Sequence, residues 1–217
     1  MGFQIIHFVS VTSTQEIAKG IMKENVVIVA DEQRTSYGRR KRKWYSPPGG
    51  LWMSMILRTS LWDILTLAAS VAVVKALNHV GVNTGIKWPN DIFYRGKKLG
   101  GIIAEKQGEF VILGIGLNLK NEIPEEIREI AINLPEVDRD TLLPIILEYM
   151  EFVLSLSKED IIREWKRYSI TLGRRVCVLD DGEICGIAKD IDAQGGLIID
   201  SDGKKIHVYT GDLRFVD

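Results

Sequence analysis

Five consecutive cations, Arg39-Arg40-Lys41-Arg42-Lys43, stand between a flexible Gly38 and Trp44 in a stretch without apolar periodicity. Arginine forks hold phosphate oxygens or a carboxylate in two-point geometry, so the run suits a polyanion such as a triphosphate. Like-charge repulsion predicts a loop that is mobile when empty and ordered by its ligand. A solvated basic stretch or a nucleic-acid contact would use the same residues. A second group is Lys87-Trp88-Pro89-Asn90-Asp91, followed by Lys97-Lys98-Leu99-Gly100-Gly101. Asp91 and Lys98 are seven residues apart, and a hairpin connected through 90–96 brings both heads to one edge of a pocket. The same spacing serves an ordinary surface ion pair, worth at most about 1 kcal/mol. The third group, Gly114-Ile115-Gly116-Leu117-Asn118, reads as a strand whose glycines let a flat ligand approach the backbone, with Asn118 offering donor and acceptor.

These groups need a scaffold, and the apolar patterning supplies one. Residues 3–9 predict a strand, after which Thr12 or Ser13 caps a helix running to Lys23, with Glu16 as the capping-box acid. Residues 26–30 predict a buried strand leading into a mostly irregular stretch at 31–50. Residues 51–57 return to strand character, and the all-round apolar segment 61–79 predicts a well-buried helix ended by Gly81. Turns at Asn90-Asp91, Arg95-Gly96 and Gln107-Gly108 divide 85–118 into short strands of a meander or hairpins. Pro124 opens a helical segment in which Ile127, Ile130, Ala131 and Leu134 recur at helical spacing, and 141–166 carries one or two further helices that cover a sheet face. After Gly173, strands punctuated by Asp-Gly and Gly-Gly turns predict a small barrel, too small in its core to stand comfortably alone and therefore docked on the larger unit.

The length of 217 residues accommodates one larger and one small domain and leaves no room for a second enzyme. A formal net charge of −1 argues against bulk attraction to nucleic acid or membrane. No apolar run reaches the roughly 18–20 residues that span a bilayer. Ser13, Gln15, Glu16 and Lys19 interrupt any signal-peptide pattern, so a cytoplasmic location is expected. Cys177 and Cys185 are the only cysteines, without a CxxC pair and with only His207 nearby, which argues against zinc or thiol redox chemistry. They flank a turn at Asp180-Asp181-Gly182, so the sulfurs could face each other across a hairpin, but the rarity of cytosolic disulfides favours two reduced core thiols.

Together the chemical groups resemble the biotin-protein ligase family over most of residues 3–217. The family's glycine-arginine loop running into Arg-x-Trp-x-Ser-Pro-x-Gly-Gly is matched from Gly38 to Gly50, its Lys-Trp-Pro-Asn-Asp motif by 87–91, its Lys-x-x-Gly by 98–101 and its Gly-x-Gly-x-Asn by 114–118. The resemblance implies an α+β fold: a mixed sheet backed by helices, of class II synthetase type, in a catalytic domain at 1–170, then an SH3-like β-barrel at 171–217. It implies an ATP-dependent biotin-[acetyl-CoA-carboxylase] ligase, which forms biotinyl-5'-AMP and transfers biotin to a lysine of a biotin carboxyl carrier domain, releasing AMP and pyrophosphate. Ser13, Thr14, Gln33, Gly38 and Gly101 would then line the biotin site, and Arg39 and Lys98 would hold the biotin carboxylate and later the acyl phosphate. Trp44, Gly116 and Asn118 would bind adenine, and Arg40, Arg42 and Lys87 the phosphates. Asp91 would orient the incoming lysine. Magnesium would travel with the ATP phosphates, with no protein ligand assigned to it.

Two positions depart from the commoner family pattern. Its loop usually begins Gly-Arg-Gly, and its serine-threonine pair is usually followed by asparagine, where this chain has Ser36-Tyr37-Gly38 and Ser13-Thr14-Gln15. No family role is carried to Tyr37 or Gln15. A lipoate-protein ligase is the nearest alternative, but its Arg-Arg-x-Gly-Gly-Gly-x-x-x-x-His stretch is missing from the sequence. A DNA-binding role is disfavoured by the single basic run, and no helix-turn-helix precedes the first strand. A homodimer is expected from the family and from apolar strands such as 51–57 pairing across an edge.

Overall fold

The computed structural model describes residues 2–216. Strand β1 (Gln4–Val11) leads to Ser13, whose extended backbone and hydroxyl cap helix α1 (Thr14–Ile21) by accepting the Gln15 amide proton. Glu16 does not close the expected capping box. Its carboxylate accepts instead from the Tyr37 hydroxyl and pairs with Lys19 on the same helix. Strand β2 (Val26–Gln33) extends three residues beyond its buried run and carries Gln33 to the site.

Strand β3 (Leu51–Leu57) is buried at every position. Helix α2 (Leu65–His79) is apolar on all sides and packs under the sheet. It begins one turn later than expected, because residues 61–64 close a tight turn in which the Ile64 amide donates to the Leu61 carbonyl at 3.0 Å. Strands β4 (Gly85–Lys87), β5 (Asp91–Tyr94), β6 (Lys97–Gln107) and β7 (Phe110–Leu117) follow as antiparallel neighbours. The sheet order is β1-β2-β3-β7-β6-β5-β4, with β1 and β2 parallel and the other pairs antiparallel. With β2 on one side and β7 on the other, β3 has no free edge, so the expected pairing of 51–57 with a second copy does not occur there.

Residues 124–134 are the clearest departure from expectation. Only a single 3-10 turn, Glu125–Ile127, forms. The following backbone is bonded elsewhere: the Lys98 amide donates to the Ile130 carbonyl at 2.8 Å, the Ile132 amide to the Lys98 carbonyl at 3.0 Å, and the Leu134 amide to the Asn118 carbonyl at 3.1 Å. Sheet-type bonding to Lys98 and Asn118 outcompetes the local helix, and it fixes two site residues. Helices α3 (Arg139–Leu154) and α4 (Lys158–Tyr168) then pack against α2, capped by Asp138 and Ser157.

Strands β8 (Arg175–Leu179), β9 (Glu183–Ile191), β10 (Leu197–Ser201), β11 (Lys204–Val208) and β12 (Asp212–Phe215) form the small SH3-like unit, in the antiparallel order β11-β10-β9-β8-β12. Its Cys177 and Cys185 are joined in a disulfide, which corrects the expectation of two reduced thiols. The two residues are direct cross-strand partners of the β8–β9 hairpin, with Cα atoms 4.1 Å apart; expectation from compartment alone carried no information about that register. The unit docks at the chemistry-bearing turn after β4. The Trp88 indole N–H donates to the Gly195 carbonyl at 3.0 Å, and the Trp88 amide donates to the Thr171 hydroxyl at 2.9 Å.

Candidate functional site

A cavity of about 500 Å³ opens between β3, β6, β7, the basic loop and the start of β12. All the residues named above as site candidates line it except Arg40. At one end is a buried polar network. Gln33 Oε1 accepts from the Thr14 amide at 2.8 Å and from its hydroxyl at 3.0 Å, while Gln33 Nε2 donates to Ser46 Oγ at 2.9 Å. Thr14 Oγ1 also lies 2.8 Å from Ser54 Oγ, which donates to Gln15 Oε1 at 2.8 Å. Thr14 and Ser54 thus bring one hydroxyl proton each to three short oxygen–oxygen contacts, so acceptor lone pairs outnumber donors at this end of the cavity.

Gln15, Ser36, Ser46 and Ser54 belong to this network and were not singled out from the sequence. Ser54 carried a signal nonetheless: it is the one polar residue in the otherwise apolar Leu51–Leu57 and is 1% exposed. A hydroxyl placed at such a position needs a partner or a task. Ser13, by contrast, is occupied as the helix cap.

In the middle of the cavity Lys98 Nζ lies 2.6 Å from Asp91 Oδ1. The expected hairpin pairing therefore occurs, although the connection is the shorter Arg95-Gly96 turn and Asp91 sits in β5 itself. Lys98 Nζ is also 5.2 Å from the Trp44 ring. That ring lies on the glycine track: a Cβ at Gly116 would stand 2.9 Å from Trp44 Nε1, and one at Gly101 3.5 Å from Trp44 Cζ3. The flat group packed against Gly116 is thus Trp44 of this chain, which forms a wall a planar ligand can use. Its Nε1 is buried against Gly116 and has no hydrogen-bond partner. Asn118 lines the cavity, while its side chain donates to the Ile132 carbonyl at 3.2 Å and accepts from Asn121 at 3.2 Å.

Cations gather at the other end. Arg39 reaches Asn90 Oδ1 at 3.4 Å and Thr210 Oγ1 at 3.3 Å, and burial lowers its pKa against the opposing pull of Asp212 and Asp91. Burial likewise pushes the Lys87 ammonium down from the ordinary lysine value, with Asp91 opposing. The basic loop carries charge partners from other elements. Residues 39–41 form a single 3-10 turn, Arg42 pairs with Asp212, and Arg40 pairs with Asp180 outside the cavity lining. Acids from the C-terminal sheet relieve the repulsion that the sequence alone presents. Asp212 was not anticipated because it lies 170 residues from Arg42 in the chain.

Both carboxylates in the cavity's cationic half, Asp91 and Asp212, are engaged by Lys98 and Arg42. Among the described residues the only close set of metal-type ligands is Cys177, Glu183 and Cys185, whose sulfurs are in the disulfide. No helix among them is long and apolar enough to cross a membrane.

The chain matches the Biotin/lipoate A/B protein ligase family over residues 6–120 and the Biotin protein ligase C terminal domain over residues 171–215. It is 34% identical to the Bifunctional ligase/repressor BirA of Bacillus subtilis, covering 99% of this chain and 74% of that protein. It is 33% identical to the Biotin--[acetyl-CoA-carboxylase] ligase of Mycobacterium tuberculosis, covering 90% of this chain and 81% of the other. In three dimensions it resembles the biotin protein ligase from Aquifex aeolicus in complex with biotin and ATP, with a TM-score of 0.89 and 30% identity over 98% of this chain and 99% of that one.

Proposed function

This chain belongs to the biotin protein ligase family, and we propose that it activates biotin with ATP as biotinyl-5'-AMP and transfers the biotinyl group to a lysine of a biotin carboxyl carrier domain. One observation carries the reading: a single cavity joins the Thr14–Gln33 polar network, the Lys98–Asp91 pair and the Arg39, Arg42 and Lys87 cations. The polar end suits a ureido ring, which needs both donors and acceptors. The cationic end suits the polyphosphate, with Trp44 and the glycines of β6 and β7 as walls for the adenine.

In the first half-reaction a carboxylate oxygen of biotin attacks the α-phosphorus of ATP, and the bond to pyrophosphate breaks. Arg39 and Lys98, both in the cavity lining, would stabilise the charge that develops on the phosphoryl oxygens. Magnesium would be carried by the phosphates and water, its usual ligands beside nucleotides. In the second half-reaction the carrier lysine attacks the acyl carbon and AMP leaves, with Asp91 orienting the amine. A placed basic loop over the phosphates would keep water from the adenylate.

The wider proposal assigns residues 1–170 to catalysis and 171–217 to the small C-terminal unit, in a cytoplasmic protein. A homodimer belongs to it as well, paired through an edge other than β3; β1 is an outer strand and exposes Ile5 and Val9.

Calorimetry of biotin and of lipoate, each with ATP and Mg²⁺, followed by mass spectrometry of the retained product, tests the substrate. Tight binding of biotin and a retained biotinyl-adenylate are expected. Lipoyl-adenylate would move the chain to the sister activity, and no adenylate with either acid would refute the reading. A pH test addresses Lys87. Only its protonated form attracts phosphate, so nucleotide affinity is present below the lowered pKa and lost as pH rises through it. The KM for ATP should therefore rise at a lower alkaline pH than an ordinary lysine would produce. Lys87→Arg, charged beyond pH 12, should remove that rise; an unaltered profile would clear Lys87 of the phosphate role.

A further inference from the structure

The basic loop is gripped from two sides by acids that belong to other elements. On one side the Tyr37 hydroxyl donates to Glu16 and approaches Glu105 Oε2 at 3.1 Å, while Lys41 Nζ lies 3.6 Å from the Tyr37 ring centroid and 3.3 Å from Glu105 Oε1. On the other side the C-terminal sheet supplies Asp180, from the β8–β9 turn, to Arg40, and Asp212, the first residue of β12, to Arg42. Arg40 Nη1 is also 3.5 Å from Asp212 Oδ2. The two aspartates are 33% and 34% exposed, so solvent reaches the pairs and they can open without unfolding the core.

A carboxylate and a phosphate satisfy a guanidinium in the same way, so Asp212, paired with Arg42 through Nη2, competes with a phosphate for that charge and that donor. Asp212 itself lines the cavity and so projects negative charge toward the place where a polyphosphate would lie. Arg40 and Lys41 are held at φ 54° and 56°, left-handed conformations that non-glycine residues adopt reluctantly and that flanking contacts must sustain.

Building on the assignment of this cavity to a nucleotide, we propose that Asp180 and Asp212 are internal counter-anions that occupy Arg40 and Arg42 in the empty protein, yield them to the nucleotide phosphates, and thereby set nucleotide affinity. Binding then releases the loop from the C-terminal sheet while the Tyr37–Glu16–Glu105 grip stays in place. Under this arrangement the acids compete with ATP. Were they instead to aim the arginines at ATP, removing their charge would weaken nucleotide binding.

The test is adenylation at saturating biotin, followed as pyrophosphate release while ATP is varied, in wild type, Asp180→Asn and the Asp180→Asn/Asp212→Asn double variant. Each amide keeps size and removes charge. The KM for ATP is expected to fall by about two- to fivefold for each pair removed, the range of a solvent-reached ion pair, with the KM for biotin unchanged. An unchanged or raised KM for ATP in the folded variants would overturn the proposal. Thermal melting establishes folding, and if the double variant melts below the assay temperature, Asp180→Asn decides, since it alters only a turn. Wild-type protein that makes no biotinyl-adenylate would instead remove the assignment of the cavity, and this proposal with it.

Discussion

Lys98→Ala is expected to slow biotinyl-adenylate formation by about 10²- to 10³-fold, the usual loss when one charge-stabilising donor leaves a preorganised site. The backbone of Lys98 is held from both directions by the Ile130 carbonyl and the Ile132 amide, so truncating the side chain leaves the strand in place. What disappears is a cation 2.6 Å from Asp91 and over the Trp44 ring, at the junction of the cavity's polar and cationic ends. Lys98→Arg should restore little. A planar, delocalised guanidinium does not reproduce the compact ammonium that meets Asp91 Oδ1 at 2.6 Å. Single-turnover pyrophosphate release with biotin and ATP measures the effect. A loss under about tenfold, small beside the donor effect, would shift the charge-stabilising role to Arg39.

The fold was legible wherever burial has a simple period. The apolar run of β3, the all-round apolar α2 and the punctuated strands of the C-terminal unit each stated their class in local composition. Residues 124–134 misled because Ile127, Ile130, Ala131 and Leu134 are apolar at helical spacing, yet their backbone finds better partners in Lys98 and Asn118. Helical periodicity records which side chains seek burial and says nothing of which carbonyls compete for the amides. Likewise the hairpin carrying Cys177 and Cys185 was evident, but their disulfide depends on a register that a shift of one residue would destroy.

The site divides along the same line. Arg39, Trp44, Asp91, Lys98 and Gly116 stand in contiguous motifs, because a loop or a hairpin can place several groups on one ligand at once. Gln15, Ser54 and Asp212 could not be found that way. They meet the cavity only after β3 is inserted between β2 and β7 and the C-terminal sheet is docked against Trp88. Asp212 in particular changes the meaning of the basic run, because it supplies a counter-charge that the local sequence does not show.

Asp91→Ala should separate the two half-reactions, slowing transfer by about 10²-fold, within the range of general acid–base contributions, and adenylation by far less. In adenylation the attacking group is a carboxylate, already deprotonated, and a second carboxylate nearby gives it nothing but repulsion, which Lys98 offsets at 2.6 Å. In transfer the attacking group begins as an ammonium, since a free lysine has a pKa near 10.4, and an anion at the cavity wall is what draws it in and fixes its approach. The measurement is single-turnover transfer from preformed biotinyl-adenylate to a carrier domain, set beside single-turnover adenylation. Equal losses in both would overturn the assignment and make Asp91 a support for Lys98. The kind of help can be told apart as well. If Asp91 chiefly orients the carrier lysine, small amines that diffuse in freely should react with the adenylate in the Asp91→Ala variant nearly as fast as in wild type; if it takes the proton, they should lose rate too, most for the amines of highest pKa.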